Sequence, residues 1–194
     1  VKLIENAVTV SDTISQSKFD NIALNKNTKI SSRCAFSEDG KYAVDGSLKT
    51  KWCGANYVGN EYIIVDLANE SLIKGFKLHH AHAGGETPGM NTSAYEIYLS
   101  NDGSEYTKVI EVKNNESDVT EHSIPLQKAK YAKLVVTRPN QADNDRASRI
   151  YEFEVFGTSE NPDLPQKFDS EVDKTNLQFT ILEAKKYEQL KDEY

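Results

Sequence analysis

The clearest structural signal in this chain is the stretch Tyr95-Glu96-Ile97-Tyr98-Leu99-Ser100-Asn101-Asp102-Gly103. Its apolar side chains alternate with side chains that can face solvent, which is typical of a strand with one buried face. Turn residues follow in Asn101-Asp102-Gly103, and residues 106–112 then run back as a second short strand. The stretch therefore predicts a β-hairpin.

Further short apolar runs lie on both sides of this hairpin. Turn residues separate them, and they cover residues 63–67, 73–80, 119–124, 131–136 and 150–156. Nothing between them has the pattern of a long helix. Several short strands joined by turns predict an all-β fold over residues 21–158, an antiparallel sandwich or barrel.

The C-terminal part of the chain has a different composition. Residues 159–170 are rich in proline and polar residues and are predicted to be a linker. Residues 171–194 then carry Leu177, Ile181 and Ala184 at helical spacing. Because a lone helix of this length is marginal in water, it is predicted to begin a second module built of helices.

The overall composition excludes several classes of function. Apolar residues make up 38% of the chain, and its formal net charge is −7. The negative charge argues against nucleic acid or an anionic membrane surface as the partner. No apolar run is long enough to span a membrane, so membrane insertion is not expected. Residues 1–20 do not form a signal peptide and are predicted to be a linker or an added edge segment of an excised piece of a longer polypeptide.

The two cysteines, Cys34 and Cys53, form no Cys-x-x-Cys pattern, which argues against a structural zinc site. Their sequence positions leave a disulfide and a pair of buried thiols equally open.

The loop that starts at Asp45 has the residues needed to hold a hard cation. A carboxylate, the glycine at position 46 and the hydroxyl of Thr50 can bring oxygen atoms together, and calcium takes about six to eight of them. A second segment would have to supply the remaining oxygens. The alternative is a simple turn in which Asp45 caps its own backbone.

Three of the four histidines lie in His79-His80-Ala81-His82-Ala83-Gly84-Gly85-Glu86, and Asn91-Thr92 follows shortly after. One interpretation is a zinc or iron site, because His80 and His82 would share a face of a strand and Glu86 could add a carboxylate. A second is a loop held together by its own hydrogen bonds. A third is saccharide recognition, because hydroxyl groups are bound by planar side chains that both donate and accept.

Motifs of catalysis are lacking. The chain contains no Gly-x-Ser-x-Gly, no phosphate-binding glycine loop and no His-Glu-x-x-His. No pair of acidic residues is placed by the pattern across a cleft, as glycoside hydrolysis requires. The chain is therefore predicted not to be an enzyme.

Four blocks of sequence together resemble a discoidin domain, also called the coagulation factor V/VIII type C domain. In chain order they are Asn21-Ile22-Ala23-Leu24-Asn25-Lys26, residues 43–52 ending in Trp52, Tyr62-Ile63-Ile64-Val65-Asp66-Leu67 and Ile150-Tyr151-Glu152-Phe153-Glu154-Val155-Phe156-Gly157. Within that superfamily they are similar to the family 32 carbohydrate-binding modules. The resemblance implies a non-catalytic jelly-roll β-sandwich attached to a secreted glycoside hydrolase or related enzyme. Residues 173–177 onward resemble the first helix of FIVAR repeats.

The resemblance also implies two structural features near the calcium loop. A structural calcium ion would be held by the carboxylates of Asp45 and Glu152 and by main-chain oxygens of further residues, namely Tyr42, Ser47, Thr50 and Tyr151. Cys34 and Cys53 would be joined in a disulfide.

For the ligand, the resemblance points to the histidine loop. A subset of the family carries His-Ala-x-Ala-Gly-Gly-Glu followed by Asn-Thr, which matches this chain from His80 to Thr92. His80, Glu86 and Asn91 would be the hydrogen-bonding residues. The loop before the last strand would add two cations, Arg146 and Arg149, but it lacks the aromatic residue that binders of galactose-type sugars usually present there. Phe36 or Tyr57 would have to replace it.

The leading hypothesis from these observations is an extracellular, secreted or surface-attached carbohydrate-binding module. It would hold the catalytic domain of its parent polypeptide close to galactose- or N-acetylhexosamine-containing glycans, and it would be a monomer apart from contacts of the C-terminal helix. The alternative is a structural or protein-interaction spacer that binds no sugar.

Overall fold

The computed structural model describes residues 19–55, 60–140 and 146–158. Residues 1–18 of the predicted N-terminal segment, the predicted linker at 159–170, the C-terminal helix with its FIVAR-like start, and Tyr57 lie outside these residues. The described strands are β1 (Asp20–Asn21), β2 (Asn27–Ile30), β3 (Trp52–Gly54), β4 (Glu61–His80), β5 (Ala94–Ser100), β6 (Thr107–Val112), β7 (Val119–Arg138) and β8 (Ser148–Thr158).

Every described strand pair is antiparallel. The hairpin predicted from Tyr95 onward is present as β5 and β6, and Ile97 pairs with Ile110. The strands follow the order β1-β8-β4-β7-β5-β6, with β2 also paired to β4 and β3 to β8. The all-β antiparallel fold is therefore confirmed.

Two strands are much longer than expected. The sequence predicts separate strands at 63–67 and 73–80, and again at 119–124 and 131–136, but the structure joins each pair into one strand of 20 residues, β4 and β7. Their pairing changes register between residues 66 and 71 and again between 73 and 75 of β4. Irregularities of this kind bend a strand and increase its twist.

These bends let β4 and β7 run through both layers of the sandwich. Residues 63–66 of β4 pair with β2, and residues 61–66 pair with residues 131–136 of β7, which in turn pair with β5. Residues 71–80 of β4 pair instead with residues 119–129 of β7 and with β8. The inward-facing residues of both halves form one apolar core, with Trp52, Ile63, Phe76, Leu134 and Phe153 among its fully buried members.

Several chain segments meet at one end of the sandwich. β4 ends there at His80, which pairs with Ile150 near the start of β8, and β3 brings Cys53 beside Arg149. Short 3-10 turns follow or precede these strands at Phe36–Glu38, Ala81–Gly84 and Pro88–Met90. Among the described residues, no helix is long and apolar enough to cross a membrane.

Candidate functional site

A disulfide joins Cys34 to Cys53, with Cα atoms 5.4 Å apart, as the family resemblance implies. The backbone N–H of Cys34 also donates to the carbonyl oxygen of Cys53 at 2.8 Å. A carboxylate oxygen of Glu38 lies within 4.8 Å of both sulfur atoms. The disulfide thus fixes the segment that carries Phe36 and Glu38 against β3, beside Arg149 of β8.

His80 is not placed to read a ligand, and this expectation from the sequence is corrected. Its side chain is 0% exposed and packs against the ring of Tyr95, with centroids 5.6 Å apart. Its Nε2 lies 3.1 Å from the hydroxyl of Thr120. Burial, together with the neighbouring His79 and His122, lowers the pKa of His80 from 6.5 to about 4, so the ring is neutral near pH 7.

Asn91 is also buried, and the expectation that it contacts a ligand is corrected in the same way. Its Oδ1 accepts the backbone N–H of His82 at 2.8 Å, and its Nδ2 donates to Asp118 at 2.9 Å. His82 Nδ1 lies 2.8 Å from the second oxygen of Asp118. Both bonds lower the pKa of the Asp118 carboxyl, and the bond from Asn91 has the larger effect. Asn91 therefore holds the loop in place.

The zinc or iron interpretation of the histidine loop is wrong for this structure. It assumed that the strand continues past His80, whereas β4 ends there and residues 81–84 form a 3-10 turn. His80 faces Thr120, His82 faces Asp118, and Glu86 has basic partners. The three side chains do not converge on a common point.

Glu86 is the centre of a charged cluster at the end of the sandwich. Its Oε1 lies 3.2 Å from Lys51 Nζ and accepts the hydroxyl of Tyr151 at 3.0 Å. Its Oε2 lies 3.0 Å from Nε of Arg149. Lys51 also pairs with Glu38 at 3.1 Å. We refer to these five residues, Glu38, Lys51, Glu86, Arg149 and Tyr151, as the Glu86 cluster.

An aromatic ring stands next to this cluster. Phe36 is 82% exposed and belongs to the same 3-10 turn as Glu38. The guanidinium of Arg33 lies 4.1 Å from the centroid of the ring, and Arg33 also pairs with Asp39. An exposed ring held beside paired charges is suited to cover the C–H face of a saccharide.

Two further residues were predicted to contact the ligand, Arg146 and Tyr57. Arg146 is exposed at the start of the described segment that leads into β8. Tyr57 lies outside the described residues. Contact of either residue with a ligand stays a prediction.

The loop from Asp45 to Thr50 lies against the carboxylate of Glu152. Glu152 Oε1 accepts the backbone N–H groups of Gly46 at 2.9 Å and Ser47 at 3.1 Å. Asp45 accepts the hydroxyl of Thr50 at 2.8 Å and also the backbone N–H of Ser47. The two segments predicted to share a calcium ion are therefore in direct contact.

One atom in this contact has no hydrogen-bond donor. Glu152 is 4% exposed, and its Oε2 is buried without a hydrogen-bond partner among the described residues. Burial, and next the carboxylate of Asp45, raise the pKa of Glu152 to about 7. The buried carboxylate of Glu152 and the partly buried one of Asp45 both accept the backbone N–H of Ser47, and two adjacent carboxylates are the donor set a hard cation would stabilise, so the residues fit calcium.

The sequence interpretation missed three members of this end of the sandwich: Lys51, the side chain of Tyr151, and Asp118. Only Lys51 had a usable signal, because it directly follows the calcium loop and directly precedes buried Trp52. The sequence predicted only a main-chain role for Tyr151. Asp118 lies 32 positions after Glu86 in the sequence. Its contact with the loop depends on the pairing of β4 with β7.

The comparisons with known proteins agree with this architecture. Residues 26–153 match the F5/8 type C domain family, and the chain belongs to that family. No curated protein matches the chain. The family recognised from the sequence blocks is thus confirmed.

Solved structures of carbohydrate-binding modules are similar to this chain. Chitosan-binding module 1 of a chitosanase/glucanase from Paenibacillus sp. IK-5 is 26% identical, with a TM-score of 0.62 over 71% of this chain and 99% of that one. Module 2 of the same enzyme, solved with chitotriose, is also 26% identical, with a TM-score of 0.61 over 71% and 100%. The family 32 module of Clostridium perfringens NanJ, solved with galactose, is 16% identical, with a TM-score of 0.60 over 71% and 98%. This last likeness shows the fold alone.

Proposed function

We propose that this domain is a non-catalytic module that binds saccharides at the Glu86 cluster, with Phe36 as the platform for a sugar ring. The observation that carries the proposal is the ion-paired position of Glu86, held between Lys51, Arg149 and the hydroxyl of Tyr151 beside an exposed aromatic ring. The ligand would be a galactose- or hexosamine-containing glycan.

The chemistry of the cluster suits sugar hydroxyls. Carboxylates accept hydrogen bonds from hydroxyl groups, and Lys and Arg donate to them. Because the acidic and basic members are already paired, their side chains are held in position before a ligand arrives. Prior ordering of this kind reduces the entropy lost on binding.

The relatives support the choice of ligand class. Both chitosan-binding modules are 26% identical to this chain and match it over 71% of its length. The cluster contains two carboxylates, Glu38 and Glu86, which could also bind the ammonium group of a glucosamine unit. With one exposed aromatic ring and few contacts, affinity for a single sugar would be near millimolar, about −4 kcal/mol.

We also propose that a structural calcium ion is held by Asp45 and Glu152, with main-chain oxygens from Tyr42, Ser47, Thr50 and Tyr151. Support comes from the buried Oε2 of Glu152 and the raised pKa of that carboxyl. The ion would neutralise two carboxylates that otherwise oppose each other. It would act on stability and not on any reaction.

The setting proposed for the domain is extracellular. A disulfide persists in oxidising compartments, and Cys34 to Cys53 is such a bond. In that setting the domain would keep the catalytic part of its polypeptide close to a glycan by raising the effective concentration.

Isothermal titration calorimetry in calcium, with chitotriose, galactose, N-acetylgalactosamine and N-acetylglucosamine, tests the proposal. At least one saccharide should bind, and Glu86→Gln should weaken it about tenfold or more, because a hydrogen bond to a charged group contributes about 1.5–3 kcal/mol.

The chain offers a matched control for this variant. Glu96 on β5 also pairs with a lysine, Lys108, at 2.9 Å and accepts a tyrosine hydroxyl, that of Tyr98. Glu96→Gln should leave saccharide binding unchanged. No heat with any of the four saccharides would contradict sugar binding and favour the protein-interaction spacer.

A further inference from the structure

The calcium loop and the Glu86 cluster are joined by two adjacent pairs of residues. Thr50 donates its hydroxyl to Asp45, and the next residue, Lys51, pairs with Glu86. Glu152 accepts two N–H groups of the calcium loop, and the residue before it, Tyr151, donates to Glu86. Each of the two chain segments therefore contributes one side chain to each site.

The backbone at Tyr151 explains how neighbouring residues serve different sites. His79 of β4 pairs with Glu152 of β8, and the next residue, His80, pairs with Ile150. Tyr151 is thus the extra residue of a β-bulge, a feature that redirects side chains at the edge of a sheet. Its ring contacts Gly84 and lies 5.5 Å from Lys51 Nζ.

We propose that Lys51 and Tyr151 are positioning residues that couple calcium binding to saccharide binding. A cation between Asp45 and Glu152 holds the peptide units Thr50-Lys51 and Tyr151-Glu152, and these hold Glu86 in its ligand-binding position. The inference rests on the proposed function and adds its regulation: the saccharide binds the ordered arrangement more tightly than the loosened one.

The physical basis is the repulsion that the cation removes. Without it, the buried carboxylate of Glu152 lies against that of Asp45, since both accept the backbone N–H of Ser47, and Glu152 Oε2 has no hydrogen-bond partner among the described residues. Any movement of Tyr151 shifts the hydroxyl that donates a hydrogen bond to Glu86. A ligand shifts an equilibrium only through a difference in affinity between two states, and the effect is reciprocal.

Calorimetry on the whole chain tests this coupling in both directions. Calcium is titrated with and without saturating saccharide, and each of the same four saccharides is titrated with calcium and with chelator. Calcium should raise saccharide affinity about fivefold or more, and the saccharide should raise calcium affinity by the same factor.

Two variants separate coupling from general stability. Tyr151→Phe keeps the ring against Gly84 and the main chain but removes the hydroxyl, so the coupling factor should fall towards one. Tyr98→Phe removes the equivalent hydroxyl bond to Glu96 on β5 and should leave the factor unchanged. If the Tyr151 hydroxyl is only structural, Tyr151→Phe should lower the stability of the domain without changing the coupling factor.

The possible failures can be told apart. If no saccharide binds the calcium-loaded chain, the proposed function and the coupling are both overturned. If calcium neither binds in the titration nor raises the melting temperature, the calcium site and the coupling are overturned while sugar binding stands. If both ligands bind with a coupling factor of one, only this inference is overturned.

Discussion

The ring of Tyr151 lies directly against the backbone of Gly84. A Cβ atom built on Gly84 would stand 1.9 Å from the ring, a distance that real Cβ atoms essentially never show. This contact presses the turn after β4 onto β8 and leaves the Tyr151 hydroxyl 3.0 Å from Glu86. The glycine is required here because of a close approach, since its φ angle is not in the left-handed region.

Gly84→Ala should lower the free energy of unfolding by about 1–3 kcal/mol, the usual effect of overpacking. It should also weaken saccharide binding, because the displaced ring takes its hydroxyl away from Glu86. Urea denaturation and calorimetry measure the two effects. Gly89→Ala is the matched control, because a Cβ there has no atom within 4 Å. Equal stability of the two variants would contradict the packing argument.

Asn91→Ala should destabilise the domain by about 2–4 kcal/mol, because the buried side chain makes two hydrogen bonds, to His82 and Asp118. The melting temperature should fall and the loop should become more accessible to hydrogen exchange. Asn114→Ala, at an exposed position between β6 and β7, should change stability by less than about 0.5 kcal/mol. If Asn91 instead contacted the ligand, its variant would lose binding without losing stability.

His80 should make the domain sensitive to acid. Its pKa is about 4 in the folded chain, against 6.5 for a histidine that is open to water, so the folded state binds fewer protons than the unfolded state between these values. The stabilisation from the neutral ring is therefore complete above pH 6.5 and lost as the pH falls to 4, about 3 kcal/mol in total.

Urea denaturation of the wild type and His80→Gln from pH 7 to pH 4 measures this contribution. Gln can still donate to Thr120 but does not titrate. As the pH falls from 7 to 4, the wild type should lose more stability than His80→Gln. The contributions of the carboxylates are the same in both proteins and cancel in the difference. A difference independent of pH would show that His80 does not resist protonation.

Calcium should raise the melting temperature, and a chelator should lower it. An ion at 100 times its dissociation constant stabilises the folded state by about 2.7 kcal/mol. Glu152→Gln should abolish the response to calcium. Glu154→Gln, two residues further along β8 and paired with His79, should retain it. Identical melting curves with calcium and with chelator would contradict a calcium site.

The strands of this domain were predictable because their signal is local. Alternation of apolar side chains identified β5, and the turn residues 101–103 identified its connection to β6. The union of two predicted strands into β4 was not predictable. Ala68, Asn69 and Glu70 have the composition of a turn, and Ala68 has a positive φ of 70°. Pairing with β7 nevertheless resumes at Ser71 in the other layer.

The candidate site was predictable only in part. Glu86 was identified as a polar residue of the ligand loop, and the structure gives it a partly exposed position in the charged cluster. His80 and Asn91 share its sequence motif but are buried. A motif records which residues occur together and does not state which of them face solvent.

The class of fold, the family and the polar composition of the loops can be read from the amino-acid sequence without coordinates. These follow from short-range alternation, from turn residues and from blocks in a characteristic order. Which polar groups face solvent and which are buried follows only from the three-dimensional packing of the chain. The reason is that exposure depends on strand register and on contacts between distant segments, such as that of Tyr151 with Gly84, and these arise when the two layers pack together.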